Sequence, residues 1–203
     1  MKHFFLVIGF MLTQETLESK TFKFQQTSFS EAIFLLVDKS SLTAQIRTLP
    51  KDTTDSKIIK EYPIAIGKKQ GDKRKEGDYK TPEGIYFALD HIQKEKLLQS
   101  KYGELAIPTD YPNPYDSYLN KTGYGIWIHG AGDDQRILDK YATEGCVIFH
   151  NKTILKLRKW LVPHQTLILI TKSTEHVNQE KDLKAVHIQL KLWLDYLELK
   201  KTK

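Results

Sequence analysis

Gly125-Ile126-Trp127-Ile128-His129-Gly130 and Thr143-Glu144-Gly145-Cys146-Val147-Ile148-Phe149 are the two stretches on which the reading of this chain turns. Each is a short apolar run punctuated by glycine, as a buried strand is. The first ends on a histidine, and the second begins on the only cysteine in the chain. The two residues are 17 positions apart (146 minus 129), enough for a loop to bring two strand ends side by side. A glycine directly before a nucleophile lets the backbone turn sharply and approach a substrate closely. Adjacent backbone N–H groups can then face a developing oxyanion. A reactive cysteine needs a basic or cationic neighbour, because the thiolate is the nucleophile. Of the seven histidines, His129 alone sits in a strand–glycine context near it. On these residues alone, a buried thiol and a satisfied core histidine are the ordinary reading.

Outward from this pair the chain reads as a mainly β domain. Ala32–Val37 is a strand-like apolar run closed by Asp38-Lys39-Ser40-Ser41. Leu42 to Leu49 alternates apolar and polar residues, the period of a half-buried strand, so the two predict a hairpin with a polar turn. Tyr62–Gly67, Ile85–Leu89 and Thr166–Thr171 read as further strands. Residues 68–84, dense in Gly and charge, read as a loop, and the basic cluster 68–75 within it as solvated. Ile92–Ser100 is expected as a short helix and Tyr111–Asn120 as irregular. A second helix is expected through Trp160, capped by Asn151 or Thr153.

With 203 residues, 40% hydrophobic and 28% charged, the chain has the composition of one ordinary globular domain. No run of about 18 apolar residues is present, which excludes a polytopic membrane protein. A lone cysteine excludes an internal disulfide and a multi-thiolate zinc site. The net charge of +6 favours polyanionic partners. Nucleic acid is not expected among them, because the basic run lacks interleaved aromatics and no recognition motif appears. Residues 1–19 read as a secretory signal, with Lys2 and His3 ahead of the apolar run Phe4–Leu12. Residues 20–30 read as a linker or lead-in strand and 31–173 as the folded domain. Residues 174–203 read as an amphipathic helix or tail, with Leu183, Val186, Leu190, Trp193 and Leu197 spaced by 3, 4, 3 and 4.

The order His-Gly, a variable stretch, then Ser/Thr-x-Gly-Cys resembles the signature of the L,D-transpeptidase catalytic domain (YkuD-type). His129-Gly130 and Thr143-Glu144-Gly145-Cys146 supply it. Gly77, Asp78, Lys80, Thr81, Pro82 and Gly84 resemble the family's upstream K-x-x-G-D-x-x-T-P-x-G segment. Residues 110–116 (DYPNPYD), followed by 123–130 (GYGIWIHG), resemble the peptidoglycan L,D-carboxypeptidases that trim stem peptides in curved and helical bacteria. Roughly residues 30 to 172 are covered.

The resemblance implies a β-rich α+β fold: a sandwich or barrel with short helices, followed by the C-terminal amphipathic helix. It implies an exported, periplasmic enzyme acting on peptidoglycan stem peptides, without metal or cofactor, and with no stable membrane insertion once the leader is removed. Cys146 would attack the carbonyl of the diamino acid at its bond to a terminal D-alanine. His129 would accept the thiol proton, or hold it as an imidazolium beside a thiolate. The Gly130 carbonyl would orient the imidazole, the N–H groups of Gly145 and Cys146 would face the oxyanion, and Thr143 would brace the turn. Likeness to the trimming subgroup implies hydrolysis; cross-linking to an amine acceptor and a non-catalytic wall-binding module are the alternatives.

The family often has Arg two residues after the cysteine, where this chain has Ile148. Arg74, Lys80 and Arg136 are the candidate cations to replace it, and Trp127 and Tyr111 the candidate cleft walls. Members of the trimming subgroup also carry a further C-terminal domain, whereas this chain stops soon after the amphipathic stretch. A sortase-like enzyme would need an Arg on a strand well after the cysteine, and Arg158 falls in an expected helix. His150, His164, His176 and His187 read as structural or surface residues.

Overall fold

Alternating strands build two sheets in the computed structural model, which describes residues 33–48, 56–97 and 99–174. The expected leader, the linker, and the amphipathic stretch beyond Thr174 lie outside the described residues. The elements are β1 (Ile33–Asp38), β2 (Thr43–Thr48), β3 (Ile58–Pro63), β4 (Gly84–Phe87), β5 (Ile92–Gln93), β6 (Leu105–Pro108), α1 (Pro114–Tyr118), β7 (Trp127–Gly130), β8 (Val147–Phe149), α2 (Asn151–Leu157) and β9 (Leu167–Thr171). One sheet has the order β3-β2-β1-β9-β4 and the other β5-β6-β7-β8. This is the expected strand-rich, two-sheet architecture with few helices. No helix among the described residues is long and apolar enough to cross a membrane.

Strand β1 lies between β2 and β9 in the middle of its sheet, so its run Leu35-Leu36-Val37 is buried throughout. That explains its unbroken apolar sequence. In β2, Ala44 and Ile46 point inward and Thr43, Gln45 and Arg47 are half-buried, as the alternation predicts. The hairpin pairs Ile33 with Thr48 and Asp38 with Thr43. Leu35, Val37, Ile46, Tyr86, Ile168 and Ile170 from one sheet pack with Leu105, Ile107, Ile128, Val147 and Phe149 from the other. Ile154 and Leu157 of α2 join this core.

Four expectations need correction. The expected strand Tyr62–Gly67 is divided: Tyr62 and Pro63 end β3 (Ile58–Pro63), the ladder partner of β2, and the chain then crosses to the other sheet at Ala65. There Ala65 exchanges both backbone hydrogen bonds with Ile148, at 3.1 and 2.9 Å. The described residues of 92–100 include no α-helix; a two-residue strand leads into a 3-10 turn at Lys94–Lys96. The segment 111–120 contains α1, because Asn113 and Asp116 form a reciprocal capping box around Pro114. Finally, α2 is preceded by His150 as N-cap, with no side-chain cap. Asn151 spends its side chain elsewhere, accepting from the Glu104 N–H at 3.0 Å and donating to the Ala131 carbonyl at 2.6 Å.

The turn after β1 is organised by Asp38. Its carboxylate accepts from the Ser40 and Ser41 N–H groups, the Ser40 hydroxyl, and the Thr174 N–H and hydroxyl. Burial alone would raise its pKa, but these hydrogen bonds outweigh it and hold the carboxyl at about 2. The folded value is depressed, so the stabilisation is present above the ordinary carboxyl range near 3.8 and is lost as pH falls towards 2. Replacing Asp38 with Asn is expected to cost about 1.5–3 kcal/mol in urea unfolding at pH 7. The difference from wild type should vanish near pH 2.

Candidate active site

The two decisive stretches meet in one ladder. β7 and β8 run parallel, with Ile128 opposite Val147, His129 opposite Ile148 and Gly130 opposite Phe149. Side chains alternate across a sheet, so Ile128 and Val147 face the main core. Trp127, His129, Cys146 and Ile148 then share the other face. Antiparallel pairing of β6 with β7 sets Ala106 opposite His129 and Pro108 opposite Trp127.

His129 is buried, with 3% of its surface exposed. Its Nδ1 lies 2.6 Å from the Gly130 carbonyl oxygen. A carbonyl can only accept, so Nδ1 carries the proton and Nε2 is left as the acceptor. The edge of the Tyr102 ring packs on the imidazole, with centroids 5.0 Å apart and planes at 83°. Burial, reinforced by the positive charges of Arg136 and Lys101, pulls the imidazole pKa down from 6.5 to about 4, against the opposing Gly130 hydrogen bond. His129 is therefore neutral at pH 7.

Cys146 is a free thiol of intermediate exposure. Burial raises its pKa. A hydrogen bond from the Trp127 N–H and the charges of Lys101 and Arg136 pull the other way, while Glu144 adds to the rise. Its Sγ lies 3.4 Å from the Gly125 carbonyl oxygen, to which the S–H donates. Burial thus disfavours the charged form of each group, the thiolate as well as the imidazolium.

The turn carrying Cys146 is clamped from both sides. Thr143 Oγ1 donates to the Cys146 carbonyl at 2.7 Å and accepts from the Gly145 N–H at 3.1 Å. That commits the Gly145 amide, one of the two N–H groups expected to face an oxyanion, to the turn. Gly145 has φ +137°, and a Cβ there would come within 2.8 Å of both Ile126 Cδ1 and the Lys80 carbonyl oxygen. Only glycine fits. Thr143 is also bonded to the preceding crossing segment: its N–H donates to the Ile66 carbonyl, and its carbonyl accepts from the Lys68 N–H.

The loop 68–84 braces the same turn. The Gly67 N–H donates to the buried hydroxyl of Thr81 at 2.9 Å. Three lysines pin the loop. Lys39 reaches the Gly71 and Thr81 carbonyls and Glu83, Lys73 pairs with Asp78, and Lys121 bridges Asp72 and Asp116. Lys73 is 3% exposed, so the cluster 68–75 is not uniformly solvated as expected.

The remaining candidates separate. Arg136 influences both groups electrostatically, and its guanidinium donates through Nη1 to the Lys101 carbonyl at 2.8 Å and through Nη2 to the Ala142 carbonyl at 3.3 Å. Trp127 is half-buried and packs at 4.8 Å on Tyr102. Tyr111 is not a cleft wall: it is 4% exposed within the core, and its hydroxyl donates to the Thr122 carbonyl. Arg74 is exposed and faces Asp72. Lys80 contributes its carbonyl beside Gly145, while its ammonium lies against Gly71. Ile148 is fully buried against Ala65, Ala131 and Ile137, where a guanidinium has no room. Sequence reasoning missed Lys101, Tyr102 and the Gly125 carbonyl. Only the β6–β7 pairing brings the 100–103 turn beside β7, and no motif marks it.

Residues 34–170 match the profile of the L,D-transpeptidase catalytic domain, YkuD. The chain belongs to this family. Bd1075 of Bdellovibrio bacteriovorus is a solved relative of this YkuD chain, 35% identical, with a TM-score of 0.61 over 76% of this chain and 55% of that one. Pgp2 of Campylobacter jejuni, a helical cell shape determining protein, is 28% identical with a TM-score of 0.61, over 71% of this chain and 49% of that one. The YafK protein of Escherichia coli K12 is 34% identical over 76 residues, 37% of this chain and 28% of its own length. The chain thus spans about half the length of the solved relatives and less of YafK.

For this YkuD domain, Gly145→Ala is expected to destabilise the fold by about 1–3 kcal/mol through backbone strain and the two close contacts. Thermal unfolding measures it, and an unchanged melting temperature would contradict the clamped turn.

Proposed function

We propose that this protein is a cysteine acyl-transfer enzyme of peptidoglycan, an L,D-carboxypeptidase that removes the terminal D-alanine from stem tetrapeptides in the periplasm. The observation that carries the reading is the placement of His129 beside the Cys146 strand, with one ring nitrogen tied to the Gly130 carbonyl. Its Nδ1 proton is fixed by the Gly130 carbonyl, and its Nε2 stands as acceptor on the sheet face that it shares with Cys146.

In this reading the S–H swings from the Gly125 carbonyl to His129 Nε2 as substrate binds. Sulfur attacks the carbonyl carbon of the diamino acid while the proton passes to Nε2. The oxygen becomes an oxyanion facing the Cys146 N–H; one such donor is worth about 3–4 kcal/mol in comparable sites. Collapse breaks the C–N bond, and His129 gives its proton to the departing D-alanine amine. Water then loses a proton to His129 and adds to the thioester, and the thiol leaves with its proton restored. Arg136 and Lys101 supply the positive charge for the substrate carboxylates, in place of the cation that Ile148 cannot provide. Trp127 and Tyr102 wall the cleft.

Digestion of defined muropeptides, read by mass spectrometry, tests the reaction. Tetrapeptides are expected to become tripeptides, and Cys146→Ala should abolish the conversion without lowering the melting temperature. New cross-linked dimers would assign transpeptidation instead, and activity surviving in Cys146→Ala would overturn the mechanism.

The pH dependence gives a separate test. His129 must be neutral to accept the proton, so activity is lost only when it protonates. The acid limb of kcat/KM is expected near pH 4, about where the buried imidazole titrates, rather than near 6.5. Arg136→Ala removes one charge that depresses this pKa, so the limb should move upward while KM rises. A limb that stays in place would remove Arg136 from the site.

A further inference from the structure

Beyond the residues placed around Cys146 and His129, β3 and the end of α2 enclose a groove of about 260 Å³. Lys60, Tyr62, Leu155, Lys156, Lys159 and Trp160 line it. Lys60 and Tyr62 are two residues apart on β3, so both project from one face of the strand. Lys156, Lys159 and Trp160 follow the i, i+3, i+4 spacing that gathers side chains on one side of a helix and its last turn. All three lysines are exposed, and no acidic residue is among the lining groups. Tyr62 and Trp160 are half-buried against the core, which fixes their rings at the groove. Lys159 Nζ lies 4.9 Å from the Trp160 ring centroid. Leu155 is 49% exposed, high for a leucine beside two aromatics.

Three cations around an aromatic floor suit an anionic polymer with apolar ring faces, such as a chain of amino sugars bearing carboxylates. The apolar face of a pyranose ring covers an aromatic ring, as other apolar surfaces do. Lactyl carboxylates, free on those amino-sugar units that carry no stem peptide, meet the lysines, whose fields add over the surface although each exposed pair is weak. We propose that this groove holds the glycan strand of peptidoglycan while a stem peptide occupies the Cys146–His129 site. The inference rests on the reading of the protein as a peptidoglycan enzyme. Holding the strand keeps its stem peptides near the thiol, which raises their effective concentration without any new contact at the reacting bond.

The test compares the full chain with the triple variant Lys60→Glu, Lys156→Glu, Lys159→Glu, and with the triple glutamine variant as a milder neutralisation. Two probes are used: purified sacculi, read by co-sedimentation, and soluble glycan strands stripped of stem peptides so that their lactyl carboxylates are free. The glutamate variant is expected to bind both about tenfold more weakly, the scale of three exposed ion pairs lost. The glutamine variant should fall between it and wild type, and wild-type binding should weaken as salt rises. Turnover of a soluble monomeric muropeptide should be unchanged in both variants. Wild-type affinity for the glycan in the charge-reversed variant would overturn the proposal. So would competition by polyglutamate as effective as that of the glycan, which would assign the groove to acidic peptides. No muropeptide turnover by the wild type would instead sink the enzymatic reading, a result independent of the glycan-binding comparison.

Discussion

The parallel pairing of β7 with β8 is the constraint on which the rest of the structure depends. Its register, Ile128 opposite Val147, sends one set of side chains into the core and the other to the opposite face. A shift of one residue in either strand would invert that division, burying His129 in the apolar core and turning Val147 out. The register is held from both sides, by the Ala106–His129 pairing of β6 and by the two backbone bonds between Ala65 and Ile148. Core packing and site geometry are therefore one decision. The same apolar residues that stabilise the sandwich fix which way the histidine and the cysteine point.

Around that ladder, charge serves as scaffold. Lys39, Lys73 and Lys121 are all buried, and each ammonium meets a carboxylate at about 3 Å. Burying an ammonium costs several kcal/mol unless its partners are in place, so each lysine tolerates few loop conformations. Asp78 shows the same economy from the acidic side. Burial opposes its ionisation, yet three backbone N–H groups and Lys73 hold its pKa far below the ordinary carboxyl range. The braced loop presents Thr81 to Gly67 and the Lys80 carbonyl to Gly145. The position of the Cys146 turn is thus set by ion pairs on a loop that composition alone marks as solvated.

How much was legible in the residues follows from the range of the forces involved. The β1–β2 hairpin, β4, β7, β8 and β9 were readable because alternation and apolar runs are local signals. So was the glycine before Cys146, whose φ of +137° is a local backbone demand. Helix α1 was missed because its stability comes from the capping box at Asn113 and Asp116 inside a stretch rich in Pro, Asn and Tyr. The segment after β3 was misplaced because Ala65 pairs with Ile148, a partner more than eighty residues away, and no local pattern announces such a pairing. Tyr111 was read as a cleft wall and is core for the same reason: its ring meets Tyr86, which β4 delivers from elsewhere in the chain.

The sequence by itself determined the chemical types at the centre, one cysteine after a glycine and one histidine before another, and the β-rich family that presents them. These follow from residue identity and short spacing, which act over a few bonds. Only the tertiary structure decided the electrostatic state of the pair and its surroundings. Burial, Arg136 and Lys101 make the imidazole neutral; Thr143 takes the Gly145 amide; Ile148 is sealed against Ala65 and Ala131. Desolvation and Coulomb interactions depend on distance through space, and that distance is set only when the two sheets close.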